Sequence, residues 1–142
     1  MRIAVAQLPA DTIIFEEDIP AASLGLDTEV VRFYTPIHAT AEASCITNAV
    51  SVALSLEGMM QVTCGRCLEE FKVPIDKELT LYYQVTALDE TIDLDPDIRE
   101  EIILDYPLQP LCKSDCRGLC VTCGKNLNEG GCSCATTKEK TF

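Results

Sequence analysis

The sequence predicts an α+β protein: an antiparallel β-meander or partly closed barrel, one or two short helices, and a C-terminal Cys-rich zinc ribbon. Three observations lead there. Apolar and polar residues alternate with period two over much of 37–86, the pattern of strands with one packed and one solvated face. Asp95-Pro96-Asp97 reads as a helix start, with an N-cap acid before a proline at the first helical position. Eight of the nine cysteines fall into four close pairs, three of them after residue 111.

In chain order, Arg2 to Leu8 and Ile13 to Phe15 read as short strands, and Asp18 to Leu26 as a stretch holding a helical turn that stops at Gly25. Ile37, Ala39, Ala41, Ala43 and Cys45 alternate with His38, Thr40, Glu42 and Ser44, and Val50, Val52, Leu54 and Leu56 form a second alternating run. Asn48 marks the bend between them, and Gly58 the next turn. Phe71, Val73 and Ile75, then Leu79, Leu81, Tyr83 and Val85, carry the pattern on; Pro74 inside it points to an edge strand or a bulge. Cys45 is expected on the apolar face as a small buried hydrophobe. His38 is expected on the polar face, solvated. Residues 87–95 read as an acidic loop. The helix from Asp95, with Ile98, Ile102 and Ile103 on its packed side, should end near Asp105, because Pro107 and Pro110 disfavour helix before them.

The four pairs are Cys64-x2-Cys67, Cys112-x3-Cys116, Cys120-x2-Cys123 and Cys132-x-Cys134. Together they make two tetrathiolate sets, each the donor complement of a closed structural zinc site. Disulfides are the competing reading. Met1-Arg2-Ile3-Ala4 shows no basic start leading into an apolar run, so a secretory signal is not expected, and in a reducing compartment close cysteines favour metal. A redox dithiol needs a βαβ context that neither C-x2-C has. Gly65 and Gly124 suit the backbone angles of tight chelating turns. The segment after Cys112 is too poor in apolar residues to build its own core; metal coordination supplies the missing free energy, of order 10 kcal/mol in zinc-finger peptides. Residues 135–142 are polar and expected to fray. The chain thus divides into a β-rich acidic core, 1–111, and a zinc-binding ribbon and tail, 112–142.

Two partitions of the thiols are open. In one, 64/67 joins 112/116 and 120/123 joins 132/134. In the other, 112/116 joins 120/123, leaving 64/67 to meet 132/134. Loop-closure entropy hardly separates them. The three residues between Cys116 and Cys120 leave little chain to place four sulfurs tetrahedrally, so the first is preferred. One or two structural Zn2+ ions are expected.

Composition narrows the partners. The chain has 142 residues and a formal net charge of −12. Residues 1–111 carry 6 Lys/Arg against 20 Asp/Glu, and residues 112–142 carry 5 against 3. An acidic body repels phosphate backbones and fits a basic protein partner. The ribbon, slightly positive through Lys113, Arg117 and Lys125, leaves direct RNA contact open there. No run approaches the ~20 apolar residues of a membrane span, so a soluble, cytoplasmic protein with no membrane partner is expected.

One string of residues is specific. Pro107-Leu108-x-Pro110-Leu111-Cys112 leads into Cys112-x3-Cys116-Arg117-Gly118-Leu119-Cys120-x2-Cys123-Gly124-x-Asn126-Leu127-Asn128, followed by Cys132-x-Cys134. With the earlier C-x2-C and Glu101-Ile102-Ile103-Leu104, it resembles the YceD family of large ribosomal RNA subunit accumulation proteins, over roughly residues 45–134. The resemblance implies a cytoplasmic role in making or retaining 23S ribosomal RNA, with a basic ribosomal protein or a pre-large-subunit particle as partner. It carries no catalytic residues over. The expected function is a non-enzymatic ribosome-biogenesis factor. The alternatives are a zinc-dependent RNA-processing enzyme, which needs an open metal position, and a thiol-based zinc or redox sensor. No H-E-x-x-H is present, and His38 is the only histidine.

Overall fold

A computed structural model describes residues 1–8, 11–86, 91–132 and 134. Within these, the strands are β1 (Arg2–Ala4), β2 (Ile13–Ile19), β3 (Val31–Arg32), β4 (Ile37–Ile46), β5 (Ala49–Thr63), β6 (Glu70–Gln84) and β7 (Thr91–Asp93). Two helices, α1 (Ala21–Leu24) and α2 (Asp95–Leu104), and two short 3-10 turns, Val5–Gln7 and Leu127–Glu129, complete the elements. No described helix is long and apolar enough to cross a membrane.

Alternation builds the main sheet. β4, β5 and β6 run antiparallel in sequence order; the turn between β4 and β5 contains Asn48, which takes φ +59°. Asparagine tolerates that left-handed turn position better than most side chains. β2 flanks β4, and β3 pairs with the far end of β5 beside Val62. Val50, Val52, Leu54 and Leu56 face the core with Ile37, Ala39, Ala41 and Ala43. Against them pack α2 through Ile98 and Ile102, and a second two-stranded sheet, β1–β7, through Ile3 and Ile92. Pro74 sits on β6, which pairs only with β5. An edge strand is where a residue without an N–H does least harm.

Several expectations need correction. No registered pair joins β2 to β6, so the sheet is open rather than a partly closed barrel. Gly58 does not turn the chain. It lies inside β5 opposite Ile75, and a Cβ there would stand 3.5 Å from Ile37 Cγ1, so it serves as a close-approach point in a continuous strand. Thr91–Asp93 is not loop but strand β7, paired with β1; residues 87–90 lie outside the described residues, as do residues 135–142. Asp95 does not cap α2. The cap position is Leu94, with no side-chain cap bond, and the Asp95 carboxylate instead receives the Met1 ammonium. Cys45 is exposed: it has the parity of the buried face, but β2 begins at Ile13 opposite Ala43, so among the described residues no β2 partner lies opposite it.

Other readings stand. Gly25 ends α1 at φ +60°, and α2 stops at Leu104. His38 lies on the open face, half exposed, and is bound to Asp18 rather than to water alone.

Candidate metal centres

The hairpin between β5 and β6 carries the first C-x2-C. There the amide of Cys64 donates to Glu69 O at 2.8 Å, and the Leu68 amide donates back to Cys64 O at 3.1 Å. The second C-x2-C repeats this wiring: the Cys120 amide donates to Lys125 O at 2.8 Å, and the Gly124 amide to Cys120 O at 2.8 Å. Both are the same knuckle. The residue after the second cysteine takes the left-handed region in each, Leu68 at φ +62° and Gly124 at φ +74°. The expectation was right for Gly124 and misplaced for Gly65, whose amide instead binds Pro110 O at 2.7 Å.

That bond is one of several fastening the tail's root to the hairpin. Cys112 N donates to Cys64 Sγ at 3.4 Å, and Arg66 Nη1 to Cys116 O at 2.9 Å. Gly118 passes so near the hairpin that a Cβ on it would stand 3.2 Å from Arg66 O; its φ of +76° also favours glycine. Asn126 Nδ2 reaches Glu69 Oε1 at 2.8 Å, and Asn128 Nδ2 reaches Cys116 Sγ at 3.3 Å.

The sulfurs fall into two groups. Cys64, Cys67, Cys112 and Cys116 form an inner set, and Cys120, Cys123, Cys132 and Cys134 an outer one; within each set all Sγ atoms lie within 4.8 Å of one another. This grouping is the first of the two partitions. Cys64 and Cys116 Sγ are 3.7 Å apart, and Cys67 and Cys112 Sγ are 3.5 Å apart. A disulfide needs about 2.05 Å. Four thiolates about 2.3 Å from a tetrahedral zinc stand about 3.8 Å from each other. The inner separations and an all-sulfur donor set therefore fit zinc. The two sets differ in cover: Cys64, Cys67 and Cys116 are buried, whereas Cys123 is exposed and its three partners are half-buried.

The thiols are electrostatically uneven. Burial pushes Cys64 up, but amide bonds from Cys67, Cys112 and Arg66 outweigh it and bring its pKa down to about 6. In the outer set the amides of Cys123 and Thr122, with help from the Cys132 thiol, lower Cys120 to about 6. Cys116 is lowered chiefly by the Asn128 amide. Burial and the neighbouring thiols push Cys112 up to about 12, and the bond to Cys123 followed by burial pushes Cys134 up to about 11. Each set thus holds at least one thiol shifted down beside one shifted up, and a divalent cation stabilises all four as thiolates.

The family model for large ribosomal RNA subunit accumulation protein YceD matches residues 52–142, which takes in most of β5, all of β6 and α2, and both cysteine sets. The chain belongs to the YceD family. Among individual relatives, it is 27% identical to the uncharacterized protein ML1660 of Mycobacterium leprae over 84% of this chain and 62% of that protein. It is 26% identical to YlbN of Bacillus subtilis over 77% of this chain and 70% of the relative. A large ribosomal RNA subunit accumulation protein YCED homolog 1 of Zea mays chloroplasts is 45% identical over 34% of this chain and 17% of its own. The chain thus spans a little under two thirds of the mycobacterial relative. No solved structure matches it.

What reading the YceD-like string alone missed is its wiring. Asn126 and Asn128 belong to the string, yet their amides have no visible task until the fold sets them against Glu69 and Cys116. The legible clue was two C-x2-C segments of equal spacing, which share one hydrogen-bond scheme.

Proposed function

We propose that this YceD-family protein is a non-enzymatic ribosome-biogenesis factor that supports accumulation of 23S ribosomal RNA and large-subunit assembly. Membership of a family named for ribosomal RNA accumulation carries this reading. In it, Cys64, Cys67, Cys112 and Cys116 hold one structural Zn2+, and Cys120, Cys123, Cys132 and Cys134 hold a second. Four thiolates fill a tetrahedral site and leave no position for a reactive water, which favours a scaffold over a hydrolase. Thiolate sites persist in a reducing compartment, which supports a cytoplasmic location. The partner is a basic ribosomal protein or a pre-large-subunit particle, met by the acidic body; the Lys113, Arg117 and Lys125 side of the ribbon is the segment with the charge to touch RNA.

Depletion of the protein in its host should lower 23S relative to 16S ribosomal RNA, and the protein should co-sediment with pre-50S particles at low salt and leave them at high salt. An unchanged 23S to 16S ratio, with the protein in the soluble fraction at every salt concentration, overturns the proposal.

A further inference from the structure

One face of the five-stranded sheet is covered by α2 and the β1–β7 pair; among the described residues nothing covers the other. Its central rows can be read from the register. Asp18, His38, Glu57 and Asp76 lie side by side across β2, β4, β5 and β6. Next come Glu16, Thr40, Ser55 and Glu78, then Ile14, Glu42, Ala53 and Thr80. Three successive rows hold six carboxylates and a single basic side chain, His38.

Several acids elsewhere are already engaged. On α2, Asp95 holds the Met1 ammonium and Asp97 accepts from Tyr83 Oη, and Asp105 just after the helix pairs with Lys77. Within the three central rows of the open face only Asp18 is engaged, by His38; Glu70, at the far end of β6, accepts from Gln61. Glu16, Glu42, Glu57, Asp76 and Glu78 have no side-chain bond among the described residues, and all are exposed. Glu57 and Asp76 are direct cross-strand neighbours, a placement that costs stability unless a cation joins it. Between the carboxylates the face is bare. A groove of about 460 Å³ runs over Thr40, Ala53, Ser55 and Thr80, walled by Glu42 and Glu78. Ile14, 60% exposed, borders it on β2, and Tyr82, 70% exposed, lies one row further along β6.

We propose that this open sheet face docks an extended polypeptide segment carrying Lys or Arg at alternate positions. The argument is charge complementarity with matched spacing. Same-face residues repeat every ~6.8 Å along a strand, so the acidic rows carry that period. An extended peptide laid along the strands presents alternate side chains at the same interval. Small residues in the groove admit the long aliphatic stems, and Ile14 and Tyr82 offer apolar surface for them to cover. Phosphate backbones are repelled by the same carboxylates. The inference rests on the basic-partner reading above and narrows it to a surface and a peptide chemistry.

The test uses the full zinc-loaded chain and three probes: the peptide Arg-Ser-Arg-Ser-Arg-Ser-Arg, an isomer with its arginines in one block, and an oligouridine. Amide shifts are followed by NMR. The alternating peptide should shift residues of β4, β5 and β6 around Thr40, Ser55 and Glu78, bind more tightly than the block isomer, and weaken with salt; the oligouridine should leave these amides unmoved. Replacing Glu42→Gln, Glu57→Gln and Glu78→Gln together should weaken the peptide at least about tenfold with zinc content unchanged. Glu100→Gln with Glu101→Gln on α2 should not weaken it. Shifts confined to α2 or the tail, binding by the triple variant within twofold of the parent, or displacement of the peptide by oligouridine on this face overturns the proposal. Co-sedimentation with pre-50S particles is scored separately: its failure removes the ribosomal reading and leaves the peptide site standing, and the reverse holds.

Discussion

Asn128 Nδ2 donates to Cys116 Sγ at 3.3 Å, so an amide from the outer ribbon supports a sulfur of the inner set. The same side chain accepts the Arg117 amide through Oδ1 at 2.9 Å, which fixes the direction of the Nδ2 group. Asn126 anchors the arrangement by taking the Asn128 amide on its own Oδ1 and by reaching Glu69. The two centres are therefore mechanically joined, although no cysteine is shared between them.

Outer partners of metal ligands commonly tune affinity ten- to a hundredfold. Asn128→Ala should weaken zinc at the inner set by about tenfold, read by competition with a chromogenic chelator, and Asn128→Asp should weaken it further by placing a carboxylate against a thiolate. Affinity equal to the parent in both variants would show that the contact contributes nothing to the centre.

The differences between sequence and structure have a common physical origin. Period-two alternation reports which side of a strand is apolar, so the buried face of Ile37 to Ala43 and Val50 to Leu56 was legible, as was Pro74 at an edge. Alternation does not report how far the cover extends. Cys45 keeps the parity but lies beyond the start of β2. Gly58 looks like a break because its role, making room for Ile37, lies in another strand. Asp95 looks like a cap because its true partner, the Met1 ammonium, is 94 residues away. Of the two open groupings of the eight thiols the preferred one is observed, and what favoured it was local: three residues between Cys116 and Cys120 leave little chain to bring both pairs onto one ion. Asn128 was not, since nothing local tells an amide which sulfur it will meet.

Leu68 and Gly124 occupy equivalent positions in the two knuckles, both with positive φ. A left-handed conformation costs a leucine about 1–2 kcal/mol, whereas glycine loses about 0.5–1 kcal/mol through its freer unfolded chain. Leu68 is 63% exposed and gives up little packing on removal. Leu68→Gly should therefore raise stability by about 0.5 kcal/mol, and Gly124→Ala should lower it by about 1 kcal/mol. Thermal unfolding of the zinc-loaded chain measures both; a lower Tm for Leu68→Gly contradicts the strain assignment.

His38 is the chain's only histidine, so one NMR titration reports it without ambiguity. Its pKa is raised above 6.5, first by the bond to Asp18 Oδ1 at 2.8 Å, against desolvation, and further by the charges of Asp18, Glu16 and Glu57. The folded state thus holds the proton more tightly than the unfolded chain. The stabilisation is complete below pH 6.5 and is lost as pH rises through the higher folded value. Asp18→Asn should bring the titration back toward 6.5. A parent value at or below 6.5 would mean that the Asp18 contact does not form in solution.

Loaded with zinc, the two centres should empty in a fixed order. The outer set is exposed at Cys123 and half-buried elsewhere, while three of the four inner thiols are buried beneath Phe71, Leu111 and Leu119. Ligand exchange requires an incoming donor to reach the ion, so cover governs the rate more than sulfur count does. A chelator in excess should remove one zinc quickly and the second slowly. Pulsed alkylation read by mass spectrometry should then modify Cys45 at once, Cys120, Cys123, Cys132 and Cys134 with the fast phase, and Cys64, Cys67, Cys112 and Cys116 with the slow one. Structural consequences follow the same order. Loss of the outer ion should loosen the ribbon beyond Gly118, leaving it held by the Asn126–Glu69 and Asn128–Cys116 bonds, while the root stays tied to the hairpin through Cys112, Cys116 and the Gly65–Pro110 bond. Only the second loss releases the root. Alkylation of the inner four before the outer four would mean that cover does not control the exchange and that the inner centre is the weaker of the two.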